Sequence, residues 1–145
     1  MASTGSTPAG APPGGDPTRG EVFAAIDALE GEVSRRLRAL SEALPSARPF
    51  VMSVLRDHER HRAARARLRT RLGLPAAAPP RVAAQDLVSL ASLRAAQEAL
   101  VVAHAEGLSA VGDEIAVDAL ARHMVDLSRH LTVIDLWIEG EEGRG

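Results

Sequence analysis

The chain has 145 residues, of which 46% are hydrophobic, and its formal net charge is −2. This length and apolar content are enough for one domain with a buried core. The near-neutral charge and an aromatic content of 2% argue against a nucleic-acid partner, which would require basic patches and stacking rings. Cysteine is absent, which excludes disulfides, thiolate nucleophiles and iron–sulfur clusters.

The two ends of the sequence differ in composition from its middle. Residues 1–17 are rich in Gly, Pro, Ser and Thr, which predicts a disordered tail, and a protein partner could dock through it. This segment lacks the basic start and apolar run of a secretory signal. No stretch approaches 18 consecutive apolar residues, so we expect no membrane association and a cytoplasmic protein. We place one domain at 18–140 and a second disordered tail at 141–145.

Two helices are predicted in the first half of the chain. Thr18 and Glu21 are spaced as a capping box. Apolar residues at helical spacing then continue from Val22 to Leu44, before a proline. A second helix is predicted to begin at Pro49 and to end at Gly73, a residue type that commonly terminates helices.

Two more helices are predicted after a linker, LPAAAPP (74–80), that a helix cannot cross. The third is expected from Val82 to Val111, with Gly107 weakening its last turn, and the fourth begins after a cap at Asp113. Each has roughly 25 residues, or about 37 Å. The predicted fold is therefore an all-α, antiparallel four-helix bundle with a long crossover between helices 2 and 3.

A repeated motif gives the strongest chemical signal. The pattern D-x-x-R-H occurs at 57–61 and at 126–130, a separation of 69 residues. Asp and His four residues apart project from the same helix face, and both elements lie close to the apolar stripes. Burying an unpaired charge is costly, so these groups should be paired, protonated or bound to a metal.

The other two helices offer carboxylates at matching heights. Glu30 of the first helix and Glu98 of the third are 68 residues apart, and both are expected to face inward, as are His104 and His123. One carboxylate on helices 1 and 3, with a carboxylate and a His on helices 2 and 4, is typical of a di-metal carboxylate bundle. The candidate metal ligands are Glu30, Asp57, His58, His61, Glu98, Asp126 and His130, and iron or manganese suits them.

Each candidate also has a purely structural interpretation. His61 and His130 could be core histidines hydrogen-bonded to Asp57 and Asp126, and the glutamates could pair with arginines such as Arg94. The seven arginines between residues 56 and 71 are interpreted as a solvated helix face.

Residues 20–139 resemble the bacterial ferritin-like superfamily, most closely its small stand-alone domains. RDHERHRAARARLRTRLGLPAAAPP is similar to the second helix and linker of that family, and MVDLSRHLTVIDLW is similar to its fourth helix. The family's Glu three residues before the His is replaced by His58 in one motif and by Leu127 in the other. The resemblance implies a bacterial, iron-binding bundle that oxidises iron or reacts with peroxide. It also makes a homodimer possible, and Trp137 and Ile138 could form its contact patch.

Other functions remain open. A metal-free bundle that serves as a protein-interaction module is the main alternative, and the incomplete motifs favour it. Hemerythrin-like oxygen binding and histidine phosphotransfer rank lower, since the first lacks its His pairs and the second lacks Lys-Gly after His104. No G-x-S-x-G element or phosphate-binding glycine loop is present, so serine hydrolysis and nucleotide cofactors are not expected.

Overall fold

The computed structural model describes residues 17–79 and 89–144, and within these ranges the chain is helical without strands. Four long helices occur in the order α1 (Arg19–Ala43), α2 (Arg48–Leu72), α3 (Leu90–Val111) and α4 (Glu114–Arg144). A short 3₁₀ turn, Pro45–Ala47, joins the first two. The all-α prediction is confirmed. No helix in the described ranges is both long and apolar enough to cross a bilayer.

Side chains and glycines end the helices where the sequence predicts. Thr18 Oγ1 accepts from the Glu21 amide at 3.1 Å, and Glu21 Oε1 accepts from the Thr18 amide at 2.8 Å, so the capping box is confirmed. Gly73 and Gly112 adopt φ values of 69° and 63° at the ends of α2 and α3. This left-handed conformation suits glycine because it has no Cβ. Asp113 Oδ2 accepts from the Ala116 amide at 3.0 Å and caps α4.

Two predicted boundaries differ from the structure. Ser89 is extended, with φ −127° and ψ 147°, and caps a helix that begins at Leu90. The predicted continuous helix from Val82 is therefore wrong at this point, because the Ser89 hydroxyl accepts from the Ser92 amide and starts the helix there. The rest of the predicted start, up to residue 88, lies outside the described residues, as does the predicted tail up to residue 16. Helix α4 continues to Arg144, past the predicted domain end at 140, since no proline interrupts it.

The four helices enclose one core. Helix α1 packs on α2 and α3, and α4 also packs on α2 and α3. Most of the predicted apolar stripe of α1 is fully buried, and apolar residues of the other three helices pack against it. The buried hydrophobic residues include Val22, Ile26, Val33, Leu37, Val51, Val54, Leu68, Leu93, Leu100, Leu120, Leu127 and Ile134.

Gly107 has a packing role in addition to the helix-weakening effect predicted for it. A Cβ at this position would lie 2.7 Å from Val22 Cγ1 of α1. That separation is well inside van der Waals contact, and valine has little freedom to move within a helix. The absence of a side chain at Gly107 therefore allows α3 to approach α1 closely.

We expect Gly107→Ala to destabilise the protein although alanine is the better helix former. Overpacking a core costs about 1–3 kcal/mol, which exceeds the roughly 1 kcal/mol gained in helix propensity. Gly31→Ala is the matched control, because a Cβ there meets nothing within 4 Å, and it should raise the melting temperature. Thermal unfolding followed by circular dichroism tests both, and Val22→Ala should rescue Gly107→Ala. Equal stabilisation by the two alanines would contradict close packing at Gly107.

Candidate functional site

All five histidines of the chain gather in the centre of the bundle. His58 and His61 come from α2, His104 from α3, and His123 and His130 from α4, and each is at most 8% exposed. Their rings form a continuous row. Ring centres are 6.1 Å apart between His130 and His58, 6.5 Å between His58 and His61, 4.0 Å between His61 and His123, and 6.3 Å between His123 and His104. Because no histidine lies elsewhere, this histidine cluster contains every imidazole of the protein.

Helical periodicity explains why these residues face one another. His58 follows Val54 by four residues, and His104 follows Leu100 by four, so each shares a face with a core residue. His123 and His130 each follow a buried leucine, at 120 and 127, by three residues. The inward orientation predicted for the histidines is confirmed.

The two D-x-x-R-H motifs pair with each other across α2 and α4. His61 Nε2 lies 2.8 Å from Asp126 Oδ2, and His130 Nε2 lies 2.7 Å from Asp57 Oδ2. Each motif therefore gives its histidine to the carboxylate of the other helix. The structural interpretation of the sequence paired these two histidines with the two aspartates, and the structure shows that both bonds run between α2 and α4, because each aspartate lies at the helix edge that faces the partner helix.

The arginine of each motif holds the same two carboxylates from outside. Arg60 bonds to Asp57 and also lies 3.9 Å from Asp126, while Arg129 bonds to Asp126. Burial acts to raise the pKa of both aspartates, but their bonds to histidine and arginine bring each pKa below its ordinary value. Both carboxylates are thus ionised acceptors at neutral pH.

Two further histidines are oriented by one ring nitrogen each. His58 Nδ1 is 2.8 Å from Ser34 Oγ, and His104 Nδ1 is 2.8 Å from the Leu100 carbonyl oxygen. In each of the five rings, one nitrogen is buried and has no hydrogen-bond partner among the residues that the structure describes. These atoms are His58 Nε2, His61 Nδ1, His104 Nε2, His123 Nδ1 and His130 Nδ1.

Burial favours the uncharged form of four of the five imidazoles. Burial lowers the pKa of His58 to about 3, that of His104 to about 4 and that of His123 to about 3. Burial also lowers the pKa of His130, although Asp57 opposes that shift. At neutral pH these rings are neutral, which is the form of histidine that binds metals.

The predicted glutamate ligands do not join the cluster. Glu30 is buried as predicted, but its Oε1 is 2.7 Å from Arg65 Nη2 and 3.4 Å from Arg62 Nη2. Glu98 is 54% exposed at its side chain and bonds to Arg94. Its predicted inward orientation is wrong, because Gln97, one residue earlier, occupies the inner face and donates to the Leu127 carbonyl at 2.9 Å.

Sequence reasoning also missed a buried arginine. Arg65 is 1% exposed and lies between Glu30 and Asp27, with its Nε 2.8 Å from Asp27 Oδ1. Arg69 is 6% exposed and also reaches Asp27. The interpretation of the arginines as a solvated face is wrong for these two, because Arg65 follows the buried His61 by four residues and Arg69 follows Arg65 by four. The four-residue spacing from His61 to Arg65 could have predicted that Arg65 is buried.

The nitrogen and oxygen atoms of the cluster do not surround a common point. In residues 17–79 and 89–144, no group of three or more His, Asp or Glu side chains is placed to hold a metal ion. The cluster is nevertheless reached from solvent. A groove of about 750 Å³, lined by α2 and α4, has His123 and Asp126 in its wall together with Arg60 and Ile115.

The metal-free protein should lose stability as the pH falls below about 6.5. His58, His104 and His123 have lowered pKa values in the folded state, so the unfolded chain binds more protons and stability rises with pH. Each group contributes up to about 1.4 kcal/mol per pH unit between its two pKa values. Urea unfolding between pH 8 and pH 4.5 measures this slope, and His104→Leu should reduce it. A stability that is flat between pH 7 and pH 5 would contradict buried neutral imidazoles.

Removing Arg65 should be far more damaging than removing a nearby exposed arginine. Arg65→Met leaves the Glu30 carboxylate buried without its main partner, a change that costs about 3–5 kcal/mol. The exposed Arg67 is the control, and Arg67→Met should change stability by less than about 0.5 kcal/mol. Denaturant unfolding measures both. The double variant Glu30→Met/Arg65→Met should recover much of the loss, and a double variant as unstable as Arg65→Met would contradict a buried ion pair.

Comparisons with protein-family models, curated proteins and solved structures found no match to the chain. The resemblance to ferritin-like proteins stays a prediction, carried by the motifs in the sequence. The histidine cluster and the groups around it are therefore the features of this chain that bear on its function.

Proposed function

We propose that this chain is a ferritin-like, metal-binding four-helix protein whose metal is held at the histidine cluster. The observation that carries the proposal is the set of five buried ring nitrogens that have no partner within residues 17–79 and 89–144. Buried polar atoms are nearly always bonded to something, and an unsatisfied one calls for an explanation such as an ion. Five such atoms on adjacent rings favour an ion.

The proposed architecture is an antiparallel bundle with a long crossover from α2 to α3. Asp57 contacts His130 and His61 contacts Asp126, so residue numbers rise along α2 as they fall along α4. Helix α1 is antiparallel to α2, because Ser34 contacts His58 whereas Asp27 contacts Arg69. It is antiparallel to α3 as well, because Arg36 contacts Ser92 whereas Arg19 contacts Val111. Helices α2 and α3 then share a direction, which requires their connection to cross the length of the bundle.

The spacing of the rings supports metal binding by adjacent imidazoles. Two imidazoles on one ion, with metal–nitrogen bonds of about 2.1 Å, have ring centres no more than about 6.5 Å apart. Neighbouring rings in the cluster are 4.0–6.5 Å apart. The second torsion of histidine is broad, so the rings can turn, and the stack of His61 on His123 must open for both to bind one ion.

Two carboxylates, each also paired with an arginine, and a groove lie beside the cluster. Asp57 and Asp126 place two negative charges beside the rings, and the groove beside His123 gives an ion a route from solvent. Iron, or manganese, is the metal that the ferritin-like resemblance implies, and it would supply chemistry with O₂ or peroxide when bound. A cytoplasmic location and a homodimer belong to the same proposal.

The alternative function is a metal-free bundle that acts as a protein-interaction module. Two observations favour it. The side chains do not converge as placed, and the carboxylates of a di-iron site are engaged elsewhere, Glu30 with Arg65 and Glu98 with Arg94. In this reading the histidines are retained as core residues and the cluster has no ligand.

Metal analysis by mass spectrometry separates the two functions. Untagged protein from cells supplied with iron, manganese and zinc should carry about one to two metal ions per chain. His104→Leu/His123→Leu should lose the metal and keep its helicity, because neither residue pairs with a carboxylate and leucine fills a similar volume. Glu98→Gln is the control and should keep its metal, since this side chain is exposed.

The opposite result would be equally clear. Less than about a tenth of a metal ion per chain, before and after incubation with each ion, would overturn metal binding and leave the interaction module as the function. A loss of metal in Glu98→Gln would contradict the placement of the site at the histidine cluster.

A further inference from the structure

The outer face of α4 carries a short pattern with the spacing of a coiled coil. Four exposed residues, Ile115, Asp118, Arg122 and Val125, follow one another at intervals of three, four and three, which places them on one side of the helix. Alternating intervals of three and four are typical of the stripe along which two helices pack. The two hydrophobic members are 53% and 58% exposed. These four residues are termed the α4 seam.

The α4 seam borders the groove between α2 and α4. All four of its residues line this groove, and Arg60 and Arg67 of α2 line it from the other helix. Two alanines, Ala64 and Ala119, also line it, and their short side chains leave the groove wide. With a volume of about 750 Å³, the groove has room for side chains of a second helix. The face is therefore suited to a helical partner.

The α4 seam is complementary to itself when two copies run antiparallel. A hydrophobic residue stands at each end, and two opposite charges stand between them. In an antiparallel coiled coil, the first seam position of one helix packs in a layer with the last position of the other. Ile115 then packs beside Val125 of the second copy, and Asp118 lies opposite Arg122 of the second copy. Each pairing occurs twice, as a two-fold symmetric interface requires.

We propose that the α4 seam is a dimer interface, in which two copies of this chain pack α4 against α4 in antiparallel orientation. The inference rests on the homodimer of the proposed function and identifies the face that forms it. This face differs from a contact patch at Trp137 and Ile138, which are partly buried against the core of their own chain. Because His123 lines the same groove, the interface also covers the route from solvent to the histidine cluster.

The α2 side of the groove adds to the charge complementarity. Arg60 is exposed and lies 3.9 Å from Asp126 of α4. In the antiparallel layers, Glu114 of the second copy comes level with Asp126, which brings its carboxylate beside Arg60. Within one chain, Arg122 already bonds to Asp118. Both of these side chains are exposed, and such a pair contributes little, so its exchange for a pair between copies costs little.

Sedimentation velocity of the full chain, over about a hundredfold range of micromolar concentrations, measures the dimer directly. The wild type should change from monomer to dimer as its concentration rises. Asp118→Arg places two arginines opposite each other in each charged layer, and Arg122→Asp places two aspartates there. Each variant should weaken the dimer at least about tenfold, because like charges across an interface oppose association. Circular dichroism should show unchanged helicity, since both positions are exposed.

Mixing the two single variants gives the sharpest test. The seam of Asp118→Arg carries only positive charge and that of Arg122→Asp only negative charge, so a mixed dimer has opposite charges in both layers. The mixture should therefore dimerise more strongly than either variant by itself. The double variant Asp118→Arg/Arg122→Asp exchanges the two charges and should restore the homodimer. Failure of either rescue would overturn the antiparallel interface.

The hydrophobic ends of the seam have a matched control. Val125→Ser should weaken the dimer, whereas Val102→Ser should leave it unchanged, because Val102 is an exposed valine of α3 that lies outside the seam. A dimer that survives both Val125→Ser and Asp118→Arg would place the contact elsewhere and overturn the inference. A wild-type chain that is monomeric at every concentration would leave the groove to a different partner and overturn it as well.

Metal content separates this inference from metal binding at the histidine cluster. A monomer that carries metal would overturn the interface and leave the metal site standing. A dimer that responds to the seam variants as expected but carries no metal would support the interface and overturn the metal site.

Discussion

The crossed bonds of His61 with Asp126 and of His130 with Asp57 fix how α2 lies against α4. Both bonds are short, at 2.8 and 2.7 Å, and they lie on successive turns of each helix. A slide by one helical turn, about 5.4 Å, would break both together and leave charged groups facing the apolar core. The same two bonds orient the rings, so the register of the helices and the direction of the free nitrogens have one cause.

The ion pair of Arg65 with Glu30 acts on the same cluster through charge. Arg65 is buried four residues after His61, and although burial opposes its charge, Glu30 and Asp27 keep the pKa of the guanidinium above its ordinary value. This permanent positive charge adds to burial in lowering the pKa of His58, His104 and His123. The pair therefore removes Glu30 from the available ligands and helps to keep the imidazoles neutral. A histidine centre and an engaged glutamate are two results of one arrangement.

The sequence predicts helices better than it predicts pairings. The helix caps at Thr18, Asp113 and the two glycines depend only on neighbouring residues in the sequence, and the structure confirms them. The prediction placed Glu98 on the inner face of α3, whereas the structure places Gln97 there. The alanine-rich sequence is compatible with two apolar faces, one through Leu100 and one through Val101. Asp57 and Asp126 each bond to the histidine of the other helix, and this depends on how closely α2 approaches α4. The residue spacing within one helix carries no information about that approach.

Burying five unpaired ring nitrogens costs free energy, and this cost bears on the function of the cluster. A buried polar group left unsatisfied costs about 1–3 kcal/mol, so five of them weigh heavily against a total stability of about 5–15 kcal/mol. Apolar side chains of similar size at His104 and His123 would avoid this cost without disturbing any carboxylate pair. A bundle that needed only its fold would gain from that exchange. A ligand that bonds the free nitrogens stabilises the folded state in proportion to its affinity, so the same atoms that weaken the empty bundle would strengthen the occupied one.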